Sequence, residues 1–260
     1  MQETDLGLLI NAAQASGDIA LKFFQSNAKV WEKEDGTGPV TEADLAVNSY
    51  LEETLRSERP EYGWLSEESQ DGPARQSKES VFIIDPIDGT RSFIDGAKTW
   101  AHSLAIARGG EITAAVVFLP VQNLIFTASL GGGARLNDAP ICASSRSDVS
   151  GAQVLATRPT MDTKHWKAPS APNFKRHHRP SLAYRLSLVA QGRFDAMLTL
   201  RASWEWDIAA GALIISEAGG HISDKTGSAL TFNRMDPRLN GVVAAGPGLH
   251  SELLSHLATA

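Results

Sequence analysis

The sequence predicts a layered fold of mixed class, with an α+β half over residues 1–145 and an α/β half over residues 146–260. Three observations predict it. Two helical periodicities open the chain, five strand-like runs follow at regular spacing, and from about residue 145 strands alternate with helices. At 260 residues, 42% hydrophobic and 21% charged, the chain is long and apolar enough to bury such layers.

In residues 5–25, Leu6, Leu9, Ile10, Ala13, Ile19 and Phe23 recur at steps near three, four and seven, which gathers them on one helix face. Asp35-Gly36 and Gly38-Pro39 break the chain. Thr41, with Asp44 three positions on, makes an imperfect capping box and opens a second helix. Leu45, Leu51 and Leu55 supply its apolar contacts, and Pro60 ends it. Tyr62–Ser66 and Val81–Asp85 read as strands, the second losing its pairing at Pro86, which has no N–H to give. His102–Arg108, Ile112–Leu119 and Asn123–Ser129, parted by Gly109-Gly110 and Pro120, continue as an antiparallel meander.

In the second half Gln153–Thr157 reads as a strand. Residues 159–180, carrying Pro159, Pro169, Pro172 and Pro180, read as irregular. Leu182–Gln191 is expected to be a helix, Asp195–Leu200 a strand, and Ile208–Ala218 a helix stopped by Gly219-Gly220. His221–Asp224 and Val242–Ala245 read as strands and Gly248–Leu257 as a last helix.

Charge and composition exclude several classes. With 24 Lys+Arg against 30 Asp+Glu, the net charge of −6 argues against direct nucleic-acid binding, which rests on neutralising phosphates. The single cysteine, Cys142, excludes an intrachain disulfide framework and a Cys-rich zinc site. The apolar run Ile112–Pro120 is far short of the roughly 20 residues a membrane helix needs. The first residues carry acids and no positive cluster, so no signal peptide is expected and the expected place is the cytoplasm.

The chemistry concentrates in Val81–Phe93. An apolar strand delivers Asp85, and Asp88 follows three residues later. Carboxylates this close repel unless protonated or bridged by a cation. A donor set of oxygens alone suits Mg²⁺ or Mn²⁺ rather than Zn²⁺. Gly89-Thr90 then offers backbone amides that point at an anion if a helix or turn starts there. Taken singly, each residue has a plainer role: Asp85 as a strand-end cap, Asp88 in an Asx-turn, Glu67 as a surface acid, and Asp207 as the N-cap of the Ile208–Ala218 helix.

Ile84–Phe93 resembles the first signature of the inositol monophosphatase-like phosphatases, a lithium-sensitive, magnesium-dependent phosphomonoesterase family. Trp206–Gly211 followed by Glu217–Gly220 resembles the second, Trp64–Ser69 the acidic strand end, and Val40–Asp44 the early Thr–Asp segment. The four motifs stand in the family's order along nearly the whole chain, with Ser66 where the family usually has Gly.

The resemblance implies a layered α-β-α-β-α sandwich of the sugar-phosphatase type with the metal site between its halves. Glu67, Asp85, Asp88, Asp207 and the Ile87 carbonyl would hold two or three Mg²⁺, with Mn²⁺ as the alternative ion. Thr90, Asp44 and Glu67 would carry the catalytic step, Thr90 orienting the attacking water with support from Asp44. The Gly89 and Thr90 amides would receive the phosphate, with Asp88 and Asp207 beside it. A homodimer is common in this family, and some members act as partners of RNA-processing or transcription machinery.

The same resemblance leaves several phosphate esters open: inositol phosphates, 3′(2′),5′-bisphosphate nucleotides, histidinol phosphate and sugar bisphosphates. Inositol phosphatases place a Glu six or seven residues before the second-motif Asp, in the stretch that is Leu198-Thr199-Leu200-Arg201 here and holds no acid. Bisphosphate nucleotidases carry a Ser-rich turn and a basic residue before a Leu-Val-Ala-x-Gly helix. Ser181–Arg185 followed by Leu188–Gly192 is similar, without the second Ser. Arg185 and Arg201 are therefore expected to take a second phosphate, since Arg pairs with it bidentately. The leading expected reaction converts 3′-phosphoadenosine 5′-phosphate to AMP and phosphate, with inositol 1-phosphate or histidinol phosphate as alternatives. The run Lys175–Arg179 is expected to steer an anionic substrate, and Trp204 to line the pocket.

Overall fold

The computed structural model describes residues 4–26, 28–33, 36 and 38–258; Asp35 of the expected chain break lies outside them. Helix α1 (Asp5–Phe23) leads to a hairpin of β1 (Val30–Glu32) and β2 (Pro39–Thr41). Helix α2 (Glu42–Glu58) starts on the expected capping box: the Thr41 hydroxyl accepts from the Asp44 amide while the Asp44 carboxylate accepts from the Thr41 amide. Leu51 and Leu55 are buried as expected, but Leu45 is 45% exposed and points away from the core.

The first sheet has seven strands in sequence order. They are β3 (Gly63–Ser66), β4 (Ser80–Asp88), β5 (Ala101–Arg108), β6 (Glu111–Leu119), β7 (Leu124–Ser129), β8 (Gly133–Leu136) and β9 (Ala139–Pro140), with the short helix α3 (Thr90–Ile94) between β4 and β5. β3 and β4 run parallel and every later pair is antiparallel, so the meander stands. One expectation is corrected. Pairing does not end at Pro86: the register slips between Asp85 and Asp88 and resumes where Asp88 faces Ala101.

The second sheet takes its order β11-β10-β12-β16-β14 from β10 (Gln153–Ala156), β11 (Lys175–His177), β12 (Ala196–Thr199), β14 (His221–Ser223) and β16 (Val242–Ala245). Helix α4 (Leu182–Ala190) precedes β12. The pair β13 (Ser203–Trp204) and β15 (Arg238–Leu239) flanks α5 (Glu205–Glu217), and α6 (Pro247–His256) closes the chain. Residues 159–180 hold more order than expected, with 3₁₀ turns at Arg158–Met161 and Thr163–His165 and the edge strand β11. The basic run Lys175–Arg179 thus edges a sheet. Arg176 donates to the Ala156 carbonyl and His177 pairs with Gln153, both on β10.

Three apolar clusters fix the layering. Leu9, Ala13, Val47 and Leu51 of α1 and α2 pack on Phe82, Ile84, Leu104 and Val116, one face of the first sheet. Ile83, Ala105 and Val117 on its other face share a cluster with Leu186, Ala209 and Leu213 of α4 and α5, and with Leu155, Met197 and Ala244 of the second sheet. Val154, Leu198 and Val243 on the far face of the second sheet meet Leu249 and Leu253 of α6. The order is helix, sheet, helix, sheet, helix, with α4 and α5 between the two sheets. No helix among the described residues is long and apolar enough to cross a membrane.

Candidate metal centre

The slip in β4 decides the centre's geometry. Val81 and Ile83 face α4 and α5, Phe82 and Ile84 face α1 and α2, so alternation puts Asp85 on the α5 side. Three residues later an uninterrupted strand would aim Asp88 the other way. Instead Asp85 faces Ser103 while Asp88 faces Ala101, so Pro86 and Ile87 together oppose His102 alone. This bulge reverses the alternation: Ile87 joins the α1–α2 cluster and Asp88 returns to the face of Asp85. Gly89 then turns the chain into α3 at φ +99°, a conformation that favours glycine. A Cβ there would meet Thr99 O at 3.4 Å and the Ser181 Cβ at 3.6 Å.

The second half supplies the remaining pieces from helix starts. Ser181 caps α4, its hydroxyl accepting from the Tyr184 amide at 2.9 Å and donating to Asp88 Oδ2 at 2.6 Å. The Ala183 amide donates to the same oxygen at 2.7 Å. Asp207 sits in the first turn of α5, whose start is held to the first sheet by Ser103 Oγ donating to the Trp206 carbonyl at 2.9 Å. Since Ser103 is the strand partner of Asp85, one residue of β5 places both acids. Asp85, Asp88 and Asp207 each bring a carboxylate oxygen within 4.8 Å of the others.

Three acids in one partly closed place are electrostatically unfavourable. Burial pushes Asp85 and Asp207 well above the ordinary carboxylate range, and their acidic neighbours push them further. Asp88 is pushed up to about 6, burial outweighing its hydrogen bonds from Ser181 and Ala183. Asp85 Oδ1 is buried without a hydrogen-bond partner among the described residues. An unpaired buried oxygen and an all-oxygen donor set fit a hard divalent cation, with Asp85, Asp88 and Asp207 as its direct holders.

Glu67 lies outside that 4.8 Å group but near enough for its charge to raise all three aspartates. Its carboxylate is 2.7 Å from Lys33 Nζ, which also reaches Glu68 at 2.8 Å. Glu67 and Asp207 open together onto a cleft of about 610 Å³, lined also by Arg201, Trp204, Met235 and Arg238. The Thr90 hydroxyl lies 3.3 Å from Asp44 Oδ1 and 3.2 Å from the Ile87 carbonyl. Asp44 is buried and pushed up to about 6 by that burial, against its bonds from Thr41.

The family model described as the inositol monophosphatase family matches residues 1–260. The chain belongs to the inositol monophosphatase family. It is 31% identical over 265 residues to the Nus factor SuhB of Escherichia coli K12, covering 97% of this chain and 95% of that protein. It is 36% identical over 203 residues to an inositol-1-monophosphatase of Rhizobium meliloti, covering 72% and 73%. Among solved structures it resembles the SuhB protein of Bartonella henselae, with a TM-score of 0.80 and 26% identity over 95% of this chain and 96% of that one. An inositol monophosphatase of Thermotoga maritima follows at TM-score 0.79 and 25% identity, over 95% and 94%. The expected fold is thus borne out, and membership makes the protein a metal-dependent phosphatase.

The structure gathers the carboxylates of Asp85, Asp88 and Asp207, and sets the Thr90 hydroxyl beside Asp44 and the Ile87 carbonyl. Asp207 is no helix N-cap, because α5 begins at Glu205. Arg185 is placed differently. It is 4% exposed, and its guanidinium donates to the Arg179 and Pro180 carbonyls and meets His178 Nε2, so it secures the loop before Ser181 and does not line the cleft. Trp204 does line it, stacked on Trp206 at 4.8 Å with Arg238 over its ring at 5.7 Å.

Two residues that shape the cleft escaped the sequence reading. Lys33 carried no motif. Glu205, buried and pushed up to about 7 by that burial, accepts from the Asn233 and Arg234 amides at 2.7 and 3.0 Å. It thereby holds the loop that brings Met235 and Arg238 to the cleft. A Glu beside a motif Trp-Asp was the available signal.

Proposed function

We propose that the protein is a Mg²⁺-dependent, lithium-sensitive phosphomonoesterase whose preferred substrate carries a second anionic group, a 3′(2′),5′-bisphosphate nucleotide such as 3′-phosphoadenosine 5′-phosphate, releasing AMP and phosphate. The observation that carries the finer part is Arg201, a cation on the cleft onto which Asp207 opens and which Trp204 also lines. No carboxylate for sugar hydroxyls stands at Leu200 or Arg201, seven and six residues before Asp207.

A bound divalent cation would supply charge neutralisation at the phosphoryl group and a more acidic water. Asp85, Asp88, Asp207 and Glu67 would hold it, with Ile87 offering its carbonyl. Thr90 orients the nucleophile: donating its one proton to Asp44 leaves its lone pairs free to accept from water. The amides of Gly89 and Thr90, at the open start of α3, receive the phosphate oxygens. Water adds at phosphorus as the ester oxygen leaves, so this needs positioning and charge, not a covalent intermediate.

Inositol 1-phosphate is the second reading, supported by the Rhizobium relative's name. A role beside transcription machinery is a third, supported only by the name of the SuhB relatives. A homodimer and a cytoplasmic setting belong to the same proposal; the exposed lone thiol of Cys142 is compatible with a reducing compartment. The test is phosphate release with Mg²⁺ from adenosine 3′,5′-bisphosphate, inositol 1-phosphate, histidinol phosphate and fructose bisphosphate. A higher kcat/KM for inositol 1-phosphate installs the second reading. Release from none of them, without any partner present, favours the third.

A further inference from the structure

Bulging a strand has a hydrogen-bonding consequence. Two residues of β4, Pro86 and Ile87, oppose one of β5, His102, so the ladder cannot supply every carbonyl with an amide. Pro86 lies in the fully buried stretch of β4, where a carbonyl left alone is costly. The His102 ring is fully buried between Trp100 and Phe118, and its Nδ1 meets the Pro86 carbonyl.

We propose that His102 is a positioning residue for the metal centre: its neutral imidazole donates Nδ1–H to the Pro86 carbonyl, replaces the ladder bond lost at the bulge, and so fixes the angle at which the Ile87 carbonyl and Asp88 are presented. A carbonyl only accepts, so Nδ1 carries the proton. Nε2 is buried with no partner among the described residues, so it stays bare, since a second proton would put an unpaired charge in the core. The ring packs against aromatic neighbours, which leaves the Pro86 carbonyl as its one polar contact among the described residues and gives the histidine a task that a packing residue would not need.

This rests on reading Asp85, Ile87 and Asp88 as metal holders, and the experiment separates the two ideas. Mn²⁺ binding to the wild type, Asp88→Asn, His102→Phe and His102→Asn is measured by calorimetry, with kcat and KM for a phosphate ester alongside. Phe keeps a ring without the donor; the Asn amide nitrogen stands as many bonds from the backbone as Nδ1. His102→Phe is expected to weaken Mn²⁺ binding and lower kcat by roughly 10- to 100-fold with KM little changed, as for partners that orient metal ligands. His102→Asn is expected to recover most of both. If His102→Phe binds and turns over like the wild type, or His102→Asn is no better than His102→Phe, the inference is overturned. If Asp88→Asn keeps full Mn²⁺ affinity, the reading of the site fails instead. Should the Phe variant not fold, ¹⁵N NMR of histidine-labelled wild type decides: Nδ1 protonated with Nε2 bare supports the inference, and the opposite tautomer overturns it.

Discussion

Replacing Asp88 by Asn should make the metal-free protein more stable while destroying its activity. In the folded chain burial and acidic neighbours hold Asp88 at about 6 instead of 3.8. At neutral pH its ionised form is therefore disfavoured by about 3 kcal/mol relative to the unfolded chain, at about 1.4 kcal/mol per pH unit. Asn removes that charge but keeps the geometry. Its carbonyl can accept from Ser181 and Ala183, and its NH₂ can turn toward Asp85 and Asp207.

The expected gain is about 2–3 kcal/mol, or roughly 4–6 °C in Tm for a chain of this size. The sign follows from linkage. A raised carboxyl makes the folded state bind more protons than the unfolded one, so the wild type loses stability as pH rises from 3.8 to about 6 and stays at the lower level above it. Thermal melts in chelator should show the full advantage of Asp88→Asn near pH 7.5 and about half of it near pH 5. Mg²⁺ should raise the wild-type Tm and leave the variant nearly unmoved. A metal-free Asp88→Asn that melts below the wild type near pH 7.5, or an advantage independent of pH, refutes the reasoning.

Thr90→Ala should lower kcat far more than it weakens metal binding. With Asp44→Asn it should form a non-additive pair, the double variant little worse than either single; multiplicative losses would break the pair. Arg201→Ala should raise KM for the bisphosphate by roughly 10- to 150-fold, the range of a charge-assisted contact, and spare a monophosphate. Arg185→Ala should act on fold and rate together, because it frees the loop that holds Ser181 on Asp88; a pure KM effect on the bisphosphate would place it in the cleft after all. Excess chelator should abolish turnover, Mg²⁺ should restore it and Li⁺ should inhibit it; full activity in chelator excludes the proposed centre.

What could be read in the sequence was whatever local chemistry dictates. The Thr41–Asp44 box needs only its own turn, and the acids at 85, 88 and 207 sit in motifs. What could not be read depends on register and partners. The β4 bulge exists only against β5, so the shared face of Asp85 and Asp88 was invisible as spacing, and Pro86 looked like an end when it is a detour. The three-residue strands β1 and β2 are too short to show alternation, which hid Lys33. Arg185 was expected on a second phosphate, and its burial could not be read because a helix buried all round gives no polar face to measure it against.

That last helix has a wider consequence. All nine residues of α4 are buried, and α5 is nearly as enclosed. They touch at Gly211, where a Cβ would lie 2.5 Å from Leu186. The pair belongs in sequence to the later part of the chain, yet it forms the interior of both sheets. Severing the chain between β9 and β10 would leave the first sheet with one apolar face bare and the helix pair with the matching surface stripped. Neither fragment has the makings of an autonomous folding unit, and melting should proceed as one cooperative event instead of two. The acids meet only when that joint is closed, so the ability to capture a cation reports on completed assembly of the whole chain.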